Sequence, residues 1–199
     1  MIQVDRTLGL ILAGGKATRF GRDKRYEPLG GKPLISHAIS RLEPQVSLLA
    51  ISANEQVFGQ ESRQLLHDAA TNQGPLFGIL AGIEFAKQRG FKWVVTAPAD
   101  SPFAPLDLVE RLTRNGEKQV RFAQQREQLH PIFGAWNTNV INELKALVNS
   151  GERKIDRASE KLGGYSYEEW GSGNYFFNIN RPDDIEKAKQ FYEASRSSS

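Results

Sequence analysis

The chain has 199 residues, of which 39% are hydrophobic and 25% are charged, and its formal net charge is +3. These values fit one globular domain with a core of ordinary size. Since the 26 Lys and Arg residues barely exceed the 23 Asp and Glu residues, a general coat for binding polyanions is not indicated. Six cations against two acids lie between residues 16 and 32, so an anionic ligand is expected there.

Cysteine is absent from the sequence, which excludes disulfides, thiolate nucleophiles and cysteine metal ligands. Any metal must therefore bind oxygen or imidazole ligands. No apolar run approaches the roughly 20 residues that cross a bilayer, and the first residues form a short polar lead that does not resemble a signal peptide. We expect a cytoplasmic protein that does not bind membranes, with a disordered tail at 195–199.

The apolar pattern along the chain predicts alternating strands and helices. Strands are expected at 8–13, 46–52 and 93–98, with 119–124 and 129–136 as weaker candidates. Helices are expected at 33–42, 57–65, 75–90, 105–114, 140–149 and 153–162, and from Pro182. The first three strands are continuously apolar, which is typical of buried parallel strands. This pattern indicates a Rossmann-like, three-layer α/β/α fold with a mostly parallel sheet and a small C-terminal lobe.

A glycine loop follows the first predicted strand. Gly14 and Gly15 have no Cβ, so the backbone can adopt positive φ there and bring its amides close to a ligand. In an open parallel sheet, ligands bind beyond the carboxyl ends of the strands, where this loop lies. Phosphate suits bare amides and nearby cations, although the spacing matches neither the Walker P-loop nor the dinucleotide motif G-x-G-x-x-G. The alternative is a plain glycine turn with solvated cations.

Asp100 follows the predicted strand 93–98, in the stretch PADSP. Its carboxylate would face the same crevice as the glycine loop. Mg²⁺ commonly takes one or two carboxylates, while substrate phosphates and water complete its octahedron, so one aspartate is sufficient. The alternative is that Asp100 caps the following turn or helix.

Several motifs taken together resemble the nucleotidyltransferases of the sugar-nucleotide-transferase type, and among these the molybdenum cofactor guanylyltransferases. The motifs are LAGG at 12–15, RFG at 19–21, DK at 23–24, GKPL at 31–34, ISAN at 51–54, Asp68 followed by GPLFG at 74–78, PADSP, HP at 130–131 and FNINRPDD from Phe177. The resemblance implies a nucleotide-diphospho-sugar-transferase-like fold in a single domain, 1–194. Its nucleotide-binding half would span about 7–115 and its acceptor-binding half about 116–194.

The resemblance also implies a reaction, in which a phosphate of molybdopterin attacks the α-phosphorus of GTP and pyrophosphate leaves. It places GTP against Leu12, Ala13, Gly14, Gly15, Arg19, Lys24, Asn54, Asp68 and Asp100. Lys24 and Asp100 would be the catalytic pair, with Lys24 on the phosphates and Asp100 holding Mg²⁺ or, alternatively, Mn²⁺. Asn54 and Asp68 would seat the base and ribose. A phosphate monoester is already a nucleophile, so catalysis needs mainly positioning and charge neutralisation.

On the acceptor side, His130, Asn178 and Asn180 match positions that the family associates with the pterin. Asparagine amides offer two donors and an acceptor, which suits a pterin edge. His130 could instead be an ordinary strand-end histidine. The two asparagines could be the polar face of a half-buried strand, with Asn180 capping the helix that starts at Pro182.

Other functions stay open at this point. A cytidylyltransferase for the same cofactor tends to have Ala-Ala-Gly where this chain has Ala13-Gly14-Gly15, and a nucleotidyltransferase for another phosphorylated acceptor is a further alternative. A non-enzymatic GTP-binding adapter that delivers the cofactor would not need both Lys24 and Asp100. Nucleic acid is not an expected partner, because the basic segment lacks interleaved aromatic residues.

The expected partners are GTP and molybdopterin or Mo-molybdopterin. Molybdenum insertion proteins and apo-molybdoenzymes or their chaperones are further candidates. Two departures from the family pattern stand out: Arg25-Tyr26 replace residues that are usually small or aliphatic, and the segment 165–174 matches nothing in the family.

Overall fold

The computed structural model describes residues 6–14, 23–67, 74–114 and 117–197. The strands are β1 (Thr7–Leu12), β2 (Pro28–Leu29), β3 (Lys32–Pro33), β4 (Leu48–Ser52), β5 (Gln64–Leu66), β6 (Trp93–Pro98), β7 (Val120–Gln125), β8 (Gln128–Asn137) and β9 (Ser166–Trp170). The helices are α1 (Leu34–Leu42), α2 (Pro75–Gln88), α3 (Leu108–Thr113), α4 (Ile141–Asn149), α5 (Ile155–Lys161) and α6 (Pro182–Ser197).

Seven of these strands form one sheet in the order β5-β4-β1-β6-β8-β7-β9, and β2 and β3 form a separate hairpin. The pairs β5–β4, β4–β1, β1–β6 and β7–β9 are parallel, whereas β8 is antiparallel to both of its neighbours. The predicted mostly parallel α/β sheet is therefore confirmed. The strands that follow residue 116 extend this same sheet.

Successive side chains of the buried strands point to opposite faces of the sheet, which divides the hydrophobic core into two layers. In β1, Leu8, Leu10 and Leu12 face the side that α2, α4 and α5 cover, whereas Ile11 faces the side that α1 and α3 cover. A strand places successive side chains on opposite faces, so an apolar run such as this one fills both layers at once. This arrangement is the predicted three-layer α/β/α architecture.

Two glycines let α2 pack closely on the sheet. A Cβ on Gly78 would lie 2.5 Å from Ser52 Oγ, and a Cβ on Gly82 would lie 2.5 Å from Leu10 Cδ2. Larger residues would therefore push the helix away from β1 and β4. Ser52 is the last residue of β4, so this contact also fixes the amino end of α2 near the carboxyl ends of the strands.

The helix predicted at 57–65 is wrong. Residues 57–63 form turns, and Gln64–Leu66 forms β5, which pairs in parallel with β4. Gly59 has a φ of 76°, which a helix does not accommodate, and its amide donates to Glu61 Oε1 at 2.8 Å. The apolar residues at the end of the segment contact the core from a sheet edge instead of from a helix face.

Strand β9 lies in the segment 165–174, where the sequence matched no motif. Its Glu168 forms ion pairs with Arg121 at 2.8 Å and with Arg114 at 3.0 Å, and the Arg121 side chain is buried. Charged pairs thus fix β9 at the edge of the sheet, beside β7. At the other end of the chain, α6 continues to Ser197, three residues into the predicted tail 195–199. Among the described residues, none of the helices combines the length and apolar character needed to span a membrane.

Helix α6 packs on the β2–β3 hairpin. A small buried cluster joins them, made of Leu29, Leu34, Ile179 and Ala188. Gly30 turns the hairpin with a φ of 55°, and a Cβ there would lie 2.3 Å from Cε1 of Tyr192 on α6. The hairpin can therefore approach the helix only because this position is glycine.

We expect Gly30→Ala to destabilise the protein by about 1–3 kcal/mol more than Gly31→Ala, because only the first adds a clash with Tyr192 to the backbone strain. Gly31 is the matched control, since it has a φ of 80° and open space where its Cβ would lie. Urea unfolding of the two variants measures the difference. Equal losses of unfolding free energy would contradict the packing argument.

Candidate active site

The site lies where β4, β1 and β6 end. The hydrogen bonding of these neighbouring parallel strands continues past their ends, because Ala13 N donates to Ser52 O at 2.9 Å and Ala99 N donates to Leu12 O at 3.1 Å. The loops that follow the three strands therefore leave the sheet side by side. Leu12 and Ala13 are buried, and Gly14 is exposed at the start of its loop.

Three predicted site residues from distant parts of the sequence converge at this edge. Lys24 Nζ forms an ion pair with Asp100 Oδ2 and donates a hydrogen bond to Asn180 Oδ1 at 3.1 Å. The side chains of Lys24 and Asp100 are 23% and 14% exposed, so solvent still reaches the group. The structure thus brings a cation, a carboxylate and an amide together at the ends of β1 and β6.

The segment that carries Asn178 and Asn180 is hydrogen bonded directly to the Asp100 loop. Ile179 N donates to Asp100 O at 3.1 Å, and the buried Ser101 hydroxyl contacts Asn178 Oδ1. Sequence reasoning missed Ser101, although it lies inside the PADSP motif. Its complete burial is a property of the fold that the motif does not reveal.

Asn180 does not cap α6. The Asp184 carboxylate does so instead, since its Oδ2 accepts from the backbone N–H groups of Asn180 and Arg181, both at 2.9 Å. A carboxylate near a helix amino end also interacts favourably with the helix dipole. The Asn180 side chain is therefore directed to Lys24, and the capping interpretation of this residue is wrong.

Lys24 lies on a short 3-10 turn, Lys24–Tyr26, whose N-cap residue is Asp23. The turn is connected to its surroundings on two sides. Leu34 N donates to Glu27 O at 3.0 Å, which joins the end of the turn to the start of α1. The Tyr26 hydroxyl accepts from Phe58 N at 3.1 Å, which joins the turn to the loop after β4.

Asn54 lies in that loop and is half-buried. Its Oδ1 is buried without a hydrogen-bond partner in the described part of the chain. A buried amide oxygen normally accepts a hydrogen bond, so this atom is available to a donor group on a ligand. The predicted contacts Gly15, Arg19 and Asp68 lie outside the described residues.

His130 lies on β8, opposite Ala123 of β7 and next to a bulge in their pairing. Its ring stacks on that of Phe176, with ring centroids 4.7 Å apart and planes at 26°. Within the described residues no hydrogen bond joins His130 to Lys24 or Asp100. The stack with Phe176 links His130 to the asparagine segment, two residues before Asn178.

Open α/β sheets bind ligands at the carboxyl ends of their parallel strands, and a lysine, an aspartate and an asparagine meet at that edge here, which is typical of a nucleotide-binding α/β protein. Residues 9–163 match a family model described as MobA-like NTP transferase domain. The chain belongs to this family and is a nucleotidyltransferase.

Relatives of similar length support this assignment. A molybdenum cofactor guanylyltransferase of Cereibacter sphaeroides is 39% identical over 187 residues, covering 92% of this chain and 96% of the relative. Another, from Cupriavidus pinatubonensis, is 38% identical and covers 93% of this chain and 97% of the relative. The similarity therefore extends over almost the whole of each protein.

Solved structures share the fold. Molybdopterin-guanine dinucleotide biosynthesis protein A from Archaeoglobus fulgidus matches with a TM-score of 0.73 and 22% identity, over 94% of this chain and 99% of that one. A CMP:2-keto-3-deoxy-manno-octonic acid synthetase, solved with CTP, matches with a TM-score of 0.75 and 12% identity, over 96% and 99%. The nucleotidyltransferase-like fold predicted from the sequence is thus confirmed.

We expect His130 to make stability depend on pH. Burial lowers the pKa of His130 from its ordinary value of 6.5, with the Glu169 carboxylate partly opposing the effect. The unfolded chain therefore binds this proton more tightly, so the free energy of unfolding falls as the pH drops through 6.5 and levels off below the folded pKa. Urea unfolding of wild type and His130→Asn between pH 5 and 8 measures the difference. An imidazole NMR titration of His130 at or above 6.5 would contradict it.

Proposed function

We propose that this chain transfers GMP from GTP to the phosphate of molybdopterin or Mo-molybdopterin. The product is the guanine dinucleotide form of the molybdenum cofactor, and pyrophosphate is released. One observation carries the proposal: Lys24, Asp100 and Asn180 meet at the ends of parallel strands, in a chain of the MobA-like family.

Lys24 would bind the phosphates of GTP. A lysine ammonium is a compact charge with three donors, so it can neutralise a triphosphate and the departing pyrophosphate without demanding a fixed geometry. In the structure this ammonium contacts Asp100 and Asn180 at the carboxyl ends of the strands. An incoming phosphate would meet a cation that is already in place.

Asp100 would hold a divalent cation. Within the described residues there is no group of three or more His, Cys, Asp or Glu side chains that could form a metal cage. The single, partly exposed carboxylate fits Mg²⁺ or Mn²⁺, which would take their other ligands from phosphates and water. Bound there, the cation would neutralise negative charge on the phosphates. Asp100 and Lys24 would thus act on the same phosphates from two sides.

The nucleotide would be seated by backbone and amide groups. Asn54 Oδ1 is a buried acceptor that a donor on the base or ribose could satisfy. The backbone of Leu12, Ala13 and Gly14 would contact the nucleotide from the end of β1. Gly15, Arg19 and Asp68 stay predicted contacts.

The acceptor would bind on the Asn178 and Asn180 side of the cleft. Because Ser101 and Lys24 contact the Oδ1 atoms of these residues, their NH₂ groups remain as donors for oxygen or nitrogen atoms of the pterin. His130 would contribute from the stacked pair with Phe176. The nucleophile is an ionised phosphate of the acceptor itself, so the site needs to align it and requires no general base.

Two features of the proposal stay predictions from the sequence. The cytoplasmic location is one, and the wider set of partners, comprising molybdenum insertion proteins and apo-molybdoenzymes or their chaperones, is the other. The remaining functional alternatives are a cytidylyltransferase for the same cofactor, a nucleotidyltransferase for another phosphorylated acceptor and a GTP-binding adapter.

Pyrophosphate release should separate these alternatives. We expect the purified chain to release pyrophosphate with GTP, molybdopterin and Mg²⁺ together, and far less with CTP, UTP or ATP. A coupled pyrophosphate assay, with and without molybdopterin, measures this. A cytidylyltransferase would prefer CTP, a transferase for another acceptor would ignore molybdopterin, and an adapter would bind GTP without releasing pyrophosphate.

Replacing either member of the central ion pair should reduce turnover while the fold is retained. We expect Asp100→Ala to abolish metal-dependent turnover and Lys24→Ala to lower kcat/KM for GTP by about 10²-fold, since each removes charge stabilisation at the phosphates. Lys145→Ala is the matched control, because Lys145 is also paired with a carboxylate, that of Glu84, but lies on α4 outside the site. Steady-state kinetics measure the effects, and circular dichroism checks the fold. Wild-type activity in either site variant would refute the role of that residue.

A further inference from the structure

Arg25 follows Lys24 on the same short turn, and its guanidinium contacts two separate parts of the chain. Its Nε donates to the Asp23 carboxylate at 2.9 and 3.0 Å, and its Nη2 donates to Asp23 Oδ2 at 2.5 Å. Its Nη1 donates to Ala13 O at 2.9 Å. One side chain therefore closes the turn and fastens it to the residue that follows β1.

The anchor point belongs to the rigid part of the molecule. Ala13 is 4% exposed, and its own amide donates to Ser52 O of β4 at 2.9 Å. The Arg25 side chain is 15% exposed and its contact with Ala13 O is partly buried, whereas the Asp23 carboxylate is 37% exposed. A planar guanidinium can bind a carboxylate along one edge and a carbonyl at its other nitrogen, whereas a lysine ammonium cannot span both in this way.

The turn depends on contacts with its surroundings. It is a single 3-10 turn of three residues with none of them buried, and a turn of this kind has little stability of its own. Arg25 adds a contact with the end of β1 to those that Glu27 makes with Leu34 and Tyr26 makes with Phe58. The Lys24 side chain is long and flexible, so the place where its ammonium lies depends on where the turn holds its Cα. A loose turn would spread the ammonium over many positions.

Arg25 also balances the negative charge of Asp23, which is unfavourable for phosphate binding at Lys24. Asp23 lies next to Lys24, and its free carboxylate would repel phosphates bound at Lys24. Burial alone would raise the pKa of Asp23, but hydrogen bonds and charge from Arg25 outweigh this effect and lower the pKa, so the carboxylate stays ionised and paired. The positive charge of Arg25 thus balances that of the Asp23 carboxylate, which reduces its repulsion of phosphates bound at Lys24.

We propose that Arg25 is a positioning residue, which fixes the Lys24 turn to the end of β1 and so sets where the Lys24 ammonium meets the nucleotide phosphates. The inference rests on the proposed role of Lys24 at those phosphates. Arg25 itself does not touch the reacting atoms, and its effect passes through Lys24.

A double-mutant cycle tests whether Arg25 acts through Lys24. We expect Arg25→Ala to lower kcat/KM for GTP by about 10- to 100-fold in the wild-type background, as misplacement of a catalytic group does. In the Lys24→Ala background the same substitution should change kcat/KM by less than about 3-fold, because the group that it positions is already gone. Equal effects in both backgrounds, or wild-type kinetics of Arg25→Ala, would overturn the inference.

Arg63→Ala is the matched control. Arg63 also binds a carboxylate with its guanidinium, that of Glu43, and donates from Nε to Gln60 at 2.7 Å, but it does not lie on the Lys24 turn. Its replacement should leave the kinetics unchanged, and a loss as large as that of Arg25→Ala would count against a specific role. If Arg25→Ala does not fold, Arg25→Lys enters the cycle, since it keeps the charge and loses the two-sided contact.

Binding of inorganic tripolyphosphate provides a readout that does not need the acceptor or the guanine base. Calorimetry should show weaker tripolyphosphate binding by Arg25→Ala than by wild type. It should show no difference between Lys24→Ala and the double variant, as in the kinetic cycle. A wild-type chain that binds tripolyphosphate but does not turn over GTP would refute the proposed function, while the four tripolyphosphate affinities would still measure the coupling between Arg25 and Lys24. Absence of tripolyphosphate binding by wild type would overturn the inference itself.

Discussion

The parallel pairing of β1 with β6 is the constraint on which the site depends. Their register joins Leu12 to Pro98, and the hydrogen bond from Ala99 N to Leu12 O continues it by one residue. Two loops that lie about ninety residues apart in sequence therefore start side by side. A shift of one residue would turn each buried side chain to the opposite face, so the two-layer core holds this register firmly.

Charges in the cleft are divided between two cation–carboxylate pairs. Arg25 is committed to Asp23, and Lys24 is held between Asp100 and Asn180. Because the second pair is partly exposed, ligands can compete for its members, which suits a site that must admit an anionic substrate. The family assignment gives the arrangement its chemical meaning, since nucleotidyl transfer depends on neutralising phosphates and aligning them.

The sequence pattern predicted the strands that local composition determines. It did not predict the edge strands and side-chain contacts that depend on tertiary packing. The runs 8–13 and 93–98 are apolar except for Thr96, which indicates buried parallel strands and places Asp100 at a strand end. The residues of β5 and β9 carry no such signal, because edge strands are short or charged and take their conformation from a neighbour. The Ser101–Asn178 contact and the Ala13–Arg25 contact join residues by tertiary structure alone, so no spacing rule could predict them.

The two edge strands of the sheet affect how readily this protein can self-associate. At one margin β5 offers only three residues, and at the other β9 carries Glu168 and Glu169 within a set of arginine contacts. Short and charged margins discourage a second chain from adding its own strand, which is a common route to aggregation. In the described part of the chain, self-association through continued strand pairing is therefore disfavoured at both edges of the sheet.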